Sequence, residues 1–379
     1  MDYIVKNDTI IFSPEYGDEP LNINLLSRYK KVIFSNYELN EDLFDKYESN
    51  NLKNLIHKYN YFNQPVDNLP NTLTHLTFGW NFNQPVDKLP NTLTYLTFCY
   101  IFNQPINNLP NTLTHLTLGD LFNQQVDNLP NTLTHLTFGN SFNQPVNNLP
   151  NILTYLIFGY CFNQSINNLP NTLTHLTFGC CFNKPINNLS NILTHLTFGH
   201  NFNQEVNNLP NTLTHLTFGY DFNQQVDKLP NTLTHLAFDY CFNQEVTNLP
   251  NTLIHLTFGK IFDKRVNLPF NIKYLKLDCD NQYLIDNLPN SIEELELEYH
   301  FNLELNNLPS SIKKIIFDTD FSEYNKELNC LPNFIELIQL PKYYDKKILK
   351  IPKELKKVIC YENYIFKDDF DNYCMEIYN

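Results

Sequence analysis

The sequence predicts a mainly β solenoid, with a parallel sheet on one face of its coils and extended, helix-poor legs on the other. Residues 62–261 are ten consecutive copies of a 20-residue unit, F-N-Q-P-V-[DN]-N-L-P-N-T-L-T-H-L-T-F-G-x-x, without insertion or deletion. A fixed period of roughly 20 to 50 residues is typical of stacked supersecondary units that contact only their neighbours. Within the unit, a short stretch of alternating apolar residues is followed by a longer stretch rich in proline and asparagine.

The strand of each coil is predicted from the apolar spacing Leu73-x-x-Leu76-x-Phe78. The second half of this segment alternates with period two, so Leu76 and Phe78 should point inward. Stacked copies then place equivalent strands side by side, in parallel and in register. Gly79 follows the strand as a turn residue.

The return leg, residues 82–90 in one copy, is predicted to be extended. Proline fixes φ and lacks a backbone donor, so Pro65 and Pro70 suit a polyproline-like leg rather than a helix. Asparagine recurs at one place in each copy and should form a ladder that satisfies backbone groups at the bend, as at Asn63, Asn83 and Asn103.

The coil register continues beyond the near-perfect block, because Leu-Pro recurs with similar spacing at 268, 288, 308 and 331. We therefore divide the chain into an N-terminal cap with decayed repeats at 1–51, a repeat solenoid at 52–360 and a C-terminal cap at 361–379. The solenoid is near-perfect over 62–261 and diverged over 262–360. Caps are required because an uncovered end coil exposes apolar surface and unpaired backbone groups.

Decayed strands are predicted on both sides of the near-perfect block. Upstream they are residues 31–34 and 52–55, and residues 10–12 suit a first strand or hairpin with Ile4. Downstream, the position of Phe78 is taken by Leu297, Phe317 and Leu340.

The framework L-x-x-L-x-[FL], followed by Val and Leu-Pro within one unit, resembles the leucine-rich repeat, especially its short bacterial effector type. The openings at 62–66 and 102–106, F-N-Q-P-V and F-N-Q-P-I, look like the FNIP repeat, a leucine-rich-repeat-like module of slime moulds and giant viruses. The resemblance covers about 52–360 and implies a leucine-rich-repeat-like solenoid. Some members carry an F-box ahead of the repeats. Residues 1–50 show no convincing F-box, because they hold few helix-forming leucines and no Leu-Pro followed by an amphipathic helix.

Composition and charge argue against several partner classes. The net charge of −14 and pI near 5.2 disfavour nucleic acid and anionic membranes. No apolar run approaches the ~18 residues of a membrane span. Nine scattered cysteines and the absence of a signal peptide at residues 1–6 indicate a reducing compartment. We therefore expect a cytoplasmic protein, or one of the host cytoplasm if the source is viral.

One strand position forms a row of imidazoles, interrupted by Tyr95 and Tyr155. Its histidines, here named the imidazole row, are His75, His115, His135, His175, His195, His215, His235 and His255. We interpret the row as a structural ladder on the solvated sheet face, with partner recognition as the alternative. Metal binding is disfavoured because parallel side chains do not converge on one ion.

The imidazole row also predicts a titration. The histidines from 175 to 255 should point outward, and like charges about 5 Å apart should spread their titration below the usual value of about 6.5. The stability of the fold should then fall as the pH drops through about 6.5.

Variation among the copies concentrates at the position after the glycine, at the rim of the sheet. This position, here named the rim row, is occupied by Trp80, Tyr100, Asp120, Asn140, Tyr160, Cys180, His200, Tyr220, Tyr240 and Lys260. Half of these are Trp or Tyr, types enriched at binding hot spots. A freely drifting loop position is one interpretation and a recognition strip the other. As candidate binding residues we select Trp80, Tyr100, Asp120, Tyr160, His200, Tyr220 and Tyr240.

The other sequence patterns do not indicate a thiol site or a catalytic site. Cys161, Cys180 and Cys181 lie in adjacent copies, but the position of Cys161 also holds unrelated residues, which favours a gap-filling role over a thiol site. No Ser-His-Asp set, glycine-rich phosphate loop or paired-carboxylate cluster stands at a diagnostic spacing. We therefore predict no catalytic residue, no cofactor and no metal.

The sequence favours a non-catalytic protein-binding scaffold that uses the sheet face and its rim to bind a protein of unknown identity. One alternative is an amplified structural repeat protein without a fixed partner. Another is a ubiquitin-ligase substrate adaptor.

Overall fold

The computed structural model describes residues 2–17, 20–49, 52, 55, 57–318, 322 and 324–378. The chain forms two compact units, Met1–Leu193 and Thr194–Asn379, here called the N-terminal and C-terminal units. Both are stacks of short parallel strands with few helical residues, so the predicted mainly β solenoid is confirmed. The predicted decayed strand at 52–55 falls partly on Lys53 and Asn54, which lie outside the described residues.

In the N-terminal unit, a hairpin precedes a run of parallel strands. Its elements are β1 (Tyr3–Lys6), β2 (Thr9–Phe12), α1 (Ile23–Leu26), β3 (Lys31–Phe34), α2 (Leu43–Glu48), β4 (His75–Thr77), β5 (Tyr95–Thr97), β6 (His115–Thr117), β7 (His135–Thr137), β8 (Tyr155–Ile157) and β9 (His175–Thr177). Strands β1 and β2 are antiparallel, and Asn7 between them adopts a φ of 53°, which asparagine tolerates well. This confirms both the predicted first hairpin and the strand at Lys31–Phe34.

In the C-terminal unit, the near-perfect coils lead into the diverged ones. Its elements are β10 (His195–Thr197), β11 (His215–Thr217), β12 (His235–Ala237), β13 (His255–Phe258), β14 (Tyr274–Leu277), α3 (Gln282–Asp286), β15 (Glu294–Leu297), β16 (Lys314–Phe317), β17 (Leu337–Gln339), β18 (Lys357–Tyr361), a 3-10 helix (Lys367–Phe370) and β19 (Cys374–Tyr378). Each strand from β10 to β18 pairs in parallel with the next one.

Where the repeat is intact, residues paired across neighbouring strands are one repeat period apart in the sequence. Leu76 pairs with Leu96, and Leu216 pairs with Leu236. Because each residue lies beside its equivalent in the next coil, every repeat position forms a row along the stack, and the row consists of like side chains where the repeat is conserved.

The core is a continuous stack of leucine and phenylalanine. Leu76 and Phe78 are 1% and 0% exposed, which confirms their predicted inward orientation. Within a coil the rings of Phe78 and Phe82 stack at 3.6 Å, and Phe82 stacks on Phe102 of the next coil at 6.2 Å. Burying each such side chain contributes about 1.5–3 kcal/mol.

The glycine after the strand begins a turn, as predicted, and it is also needed for space. The carbonyl of Gly79 accepts from the N–H of Phe82 at 3.4 Å. Among the described glycines none has a positive φ. A Cβ on Gly159 would lie 2.1 Å from the carbonyl oxygen of Gly139 in the preceding coil. Neighbouring coils therefore approach each other closely at the edge that carries the rim row.

The return legs of the near-perfect coils contain no helix, with turns at 87–88 and 91–92 in one of them, and the predicted asparagine ladder holds them together. The backbone N–H of Asn83 donates to the side-chain oxygen of Asn63 at 2.9 Å, and that of Asn103 donates to Asn83 at 2.9 Å. Gln84 Nε2 also donates to the backbone carbonyl of Asn63 at 3.0 Å. The ladder satisfies backbone groups of the legs, which have no sheet partner.

The diverged coils replace parts of this pattern. In one of them α3 substitutes for the extended leg, and the side chain of Asn281 caps it by accepting from the N–H of Leu284 at 3.2 Å. On the sheet face, the position held by Thr234 in a near-perfect coil carries charges of alternating sign in the diverged coils. Glu293 lies 2.7 Å from both Lys273 and Lys313, and this pairing lowers the pKa of Glu293 to about 2.

Candidate interaction surfaces

The imidazole row lies at the first residue of each strand, half-buried on the sheet face. In the N-terminal unit, successive rings of His75, Tyr95, His115 and His135 stack at 4.3, 4.0 and 4.1 Å. In the C-terminal unit, His195, His215, His235 and His255 stack at 4.1, 4.0 and 4.1 Å. The stack widens at Tyr155, whose ring lies 5.5 Å from His135 and 5.4 Å from His175.

A threonine hydroxyl orients each imidazole. Thr114 Oγ1 lies 3.1 Å from the backbone carbonyl oxygen of Thr94 in the preceding coil and 2.9 Å from Nδ1 of His115. That carbonyl also accepts the N–H groups of Thr114 and His115 at 2.9 and 3.0 Å. If the hydroxyl donates to the carbonyl, Nδ1–H of His115 donates to the hydroxyl and Nε2 is an acceptor; if the hydroxyl donates to Nδ1, the proton of neutral His115 is on Nε2. Thr134 and His135 repeat this arrangement, at 3.1 and 2.9 Å.

Burial favours the neutral form of four of the imidazoles. It lowers the pKa of His115 and of His235 to about 4, and it also lowers the pKa of His75 and His135. Repulsion from charged neighbours acts in the same direction but is smaller. The lowering predicted for the histidines from 175 to 255 is confirmed at His235. Like-charge repulsion, the predicted cause, ranks behind burial there because the rings cover one another from water.

The rim row of the N-terminal unit begins with an aromatic cluster. Trp80 stacks on Tyr100 with ring centroids 4.1 Å apart. The other side of Trp80 meets His57 and Tyr59 edge-on, each at 4.9 Å. Asp120 ends the aromatic run.

The rim row of the C-terminal unit has a second stack. His200, Tyr220 and Tyr240 follow one another at 4.5 Å, and Lys260 Nζ lies 5.3 Å from the centroid of Tyr240. A cation over the face of a tyrosine is attractive. Because stacking and Lys260 occupy the ring faces, this row presents ring edges and hydroxyl tips at the surface.

The repeated coil matches a known family of repeats. The profile described as FNIP Repeat matches more than half of the chain, at residues 62–100, 102–141, 142–181, 182–221, 205–241, 222–261 and 261–300. The chain belongs to the FNIP repeat family. No curated protein matches its sequence.

Solved structures similar to this FNIP chain contain leucine-rich repeats. CroV588 of a giant virus, described as a novel circular LRR protein, is 35% identical with a TM-score of 0.67 over 96% of this chain and 61% of its own. YopM from Yersinia enterocolitica WA-314 is 20% identical with a TM-score of 0.47, over 79% of this chain and 76% of its own. This FNIP chain thus spans less than two thirds of CroV588. FNIP repeats and CroV588 are leucine-rich-repeat-type scaffolds rather than enzymes.

The remaining candidate residues occupy single places in the FNIP coils. Tyr160 is 54% exposed on the rim and follows the exposed Asn140. Where Ile254 replaces the usual threonine, Nδ1 of His255 is buried and has no hydrogen-bond partner among the described residues. His200 Nε2 lies 3.9 Å from Asp221 Oδ1.

Sequence reasoning missed two features beside these rows. His57 and Tyr59 precede the near-perfect FNIP block, and only their alternating aromatic pattern with Tyr61 signals an aromatic surface. The second feature is a groove of about 360 Å³ where α2 lies over the sheet face, lined by Lys31, Phe44, Tyr47, Glu48, His75 and Tyr95. No repeat signal marks α2, because it belongs to the non-repeated N-terminal segment.

Across the residues that the structure describes, no three His, Cys, Asp or Glu side chains are placed to share a metal ion. None of the helices found there has the length and apolar character to cross a membrane.

Proposed function

We propose that this FNIP chain is a non-catalytic protein-binding scaffold that uses the sheet face and rim of its coils. The observation that carries the proposal is the imidazole row, whose rings are held in one orientation. At His115 and His135, threonine hydrogen bonds and ring stacking fix the side chains in advance. A surface ordered in this way loses little side-chain entropy when it binds.

The chemistry of the sheet face favours a partner that donates hydrogen bonds. We propose that the threonine hydroxyls donate to the backbone carbonyls, so that the histidines carry their proton on Nδ1 and their unprotonated Nε2 atoms are acceptors. Neighbouring imidazoles recur at a ring spacing of 4.0–4.1 Å. The net charge of −14 adds a general attraction for positive groups. We therefore propose a protein segment that carries lysine, arginine or amide side chains along the row.

The rim supports the same function with a different chemistry. Trp and Tyr supply large contact area at low conformational cost. Stacking fixes Tyr220 and Tyr240 on a buried scaffold, with their edges toward the rim. Substituting them tests whether this edge belongs to the binding surface.

The test is affinity capture from cells with four matched baits. These are the wild type, a face variant with His115→Thr and His135→Thr, a rim variant with Tyr220→Asn and Tyr240→Asn, and a leg control. The leg control carries Asn147→Thr and Asn167→Thr, exposed positions where another copy already has Thr247. Threonine suits a strand, and asparagine already occurs on the rim at Asn140. Urea unfolding first establishes that all four baits are folded.

The proposal predicts a partner recovered in stoichiometric amount by the wild type and the leg control, and lost with the face or rim variant. Equal recovery by all four baits would remove the sheet face and rim from the binding surface. Absence of any stoichiometric partner would favour the amplified structural repeat. Recovery of ubiquitin-ligase components alone would favour the adaptor.

A further inference from the structure

Two cysteines of the N-terminal unit occupy the same position in neighbouring coils. Cys161 follows β8 and Cys181 follows β9, and these strands pair in register through Leu156 and Leu176. The N–H of Cys161 donates to Asn140 O at 2.8 Å, and the N–H of Cys181 donates to Tyr160 O at 2.8 Å. The two cysteines therefore have the same backbone environment, one coil apart.

Contacts on both sides hold the two cysteines at coil spacing. On the N-terminal side of the cysteines, a Cβ on Gly179 would lie only 1.9 Å from Gly159 O, so the backbones of the two coils are in close contact there. After them, Phe162 and Phe182 stack at 6.1 Å. Neighbouring parallel strands are about 4.8 Å apart, and a disulfide needs a Cα–Cα distance of about 4.4–6.8 Å. The coil spacing falls within that window.

The two thiols also interact with each other. Cys161 is exposed and Cys181 is half-buried. Burial raises the pKa of the Cys181 thiol, with smaller contributions in the same direction from Cys161 and from Cys180. All nine cysteines are free thiols, so Cys161 and Cys181 are not linked to each other in this structure.

We propose that Cys161 and Cys181 form a thiol-oxidation site at which peroxide-class oxidants join two adjacent coils by a disulfide. The exposed Cys161 thiolate attacks one oxygen of hydrogen peroxide, the O–O bond breaks, and hydroxide leaves. Cys161 is then a sulfenic acid. Cys181 loses its proton, its sulfur attacks the sulfenic sulfur, and the S–O bond breaks as water departs. Two thiols are oxidised to one disulfide, and the peroxide is reduced to two molecules of water.

Cys180 neighbours the pair but plays no part in the bond. It belongs to the rim row, one residue before Cys181, so its Cβ leaves the chain in a different direction from that of Cys161. Cys241 provides a matched internal control. Its N–H donates to Tyr220 O at 2.9 Å, so it occupies the equivalent position in the C-terminal unit. Its counterparts one coil away are Asp221 and Ile261, which cannot form a disulfide.

The experiment treats the folded full chain with hydrogen peroxide, blocks the remaining thiols and maps the peptides by mass spectrometry. We expect a linked pair of peptides containing Cys161 and Cys181, with Cys241 recovered as a blocked thiol or a sulfenic acid adduct. Cys180→Ser should leave the yield of the link unchanged. Cys181→Ser should abolish it and leave the Cys161 sulfenic acid available to a dimedone trap. The linked protein should also unfold at higher urea, because the bond closes a loop in the unfolded chain.

The proposal is overturned if the oxidised wild type lacks the Cys161–Cys181 link while other thiols react. It is also overturned if Cys180→Ser removes the link, or if a chain unfolded before oxidation gives the same yield. Variants that retain the wild-type urea midpoint when reduced show that the fold itself is unaffected.

Discussion

The backbone N–H of Asn103 donates to the side-chain oxygen of Asn83, 2.9 Å away in the preceding coil. This bond satisfies a backbone donor in a leg that has no sheet partner. Because Asn103 in turn accepts from the N–H of Asn123 at 2.9 Å, each side chain couples two coils.

Replacing Asn103 by alanine should therefore destabilise the fold. The N–H of Asn123 would lose its acceptor, and because this bond lies at an exposed position the cost should be about 0.5–1.5 kcal/mol, the net value of an ordinary hydrogen bond. Urea unfolding followed by circular dichroism measures the change. Asn107→Ala is the control, because this asparagine of the same coil is exposed, and it should cost within about half a kcal/mol. Equal losses from both changes would mean that the ladder does not stabilise the coils.

Inward residues should be far less tolerant than rim residues. Leu176 and Phe178 are 1% and 2% exposed, so Leu176→Ala or Phe178→Ala removes buried apolar volume and should cost about 2–5 kcal/mol. Asn140 is exposed on the rim, and its replacement should cost within about half a kcal/mol. Differential scanning calorimetry gives both values, and similar melting shifts for the two classes would contradict the assignment of faces.

Deletion of a whole coil should be tolerated, because each coil contacts only its neighbours. Removing residues 122–141 joins two equivalent coils and should leave a folded, slightly shorter protein. Removing residues 122–131 instead brings a strand position against a return leg, and cooperative unfolding should be lost. Circular dichroism during thermal unfolding compares the two deletions. If they cause equal damage, the stacked-coil description is wrong.

Stability should fall as the pH decreases, in part through the imidazole row. Burial lowers the folded-state pKa of His115 and His235 to about 4, against about 6.5 in an unfolded chain. Between these values the unfolded chain binds more protons, so stability decreases from about pH 6.5 downward and levels off below about pH 4. The double variant with His115→Thr and His235→Thr should lose less stability over this range, as measured by urea midpoints.

Comparing the double variant with the wild type isolates the contribution of the two histidines. Glu293, whose pKa is lowered to about 2 by Lys273 and Lys313, also stabilises the fold less as the pH falls. Its effect occurs at lower pH and is present in both proteins. Identical pH profiles for the variant and the wild type would show that the row does not titrate as described.

Exact repetition explains which parts of the fold the sequence could predict. A period of 20 residues places Leu76 against Leu96 and Asn83 against Asn63, so the register, the inward face and the asparagine ladder follow from the spacing. The alternation of Lys273, Glu293 and Lys313 carries the same kind of signal for the ion pairs.

Features outside the repeat could not be predicted in this way. His57 and Tyr59 pack on Trp80 from a segment with no counterpart in the other coils. The contact of Thr114 with both the Thr94 carbonyl and Nδ1 of His115 depends on side-chain geometry, which the sequence does not contain. Ring stacking at 4.0 Å likewise explains why burial, rather than charge repulsion, is the main cause of the lowered histidine pKa.

The most direct test of the account is the protonation state of the imidazole nitrogens at His115 and His135. Long-range proton–nitrogen NMR near neutral pH distinguishes the two tautomers, with Thr114→Val as the variant that removes the acceptor of Nδ1–H. We predict that both histidines carry the proton on Nδ1 in the wild type, and that His115 alone loses this preference in the variant. A wild type with the proton on Nε2 would contradict the proposed donation from the threonine hydroxyls to the backbone carbonyls, and with it the acceptor surface on which the proposed function rests.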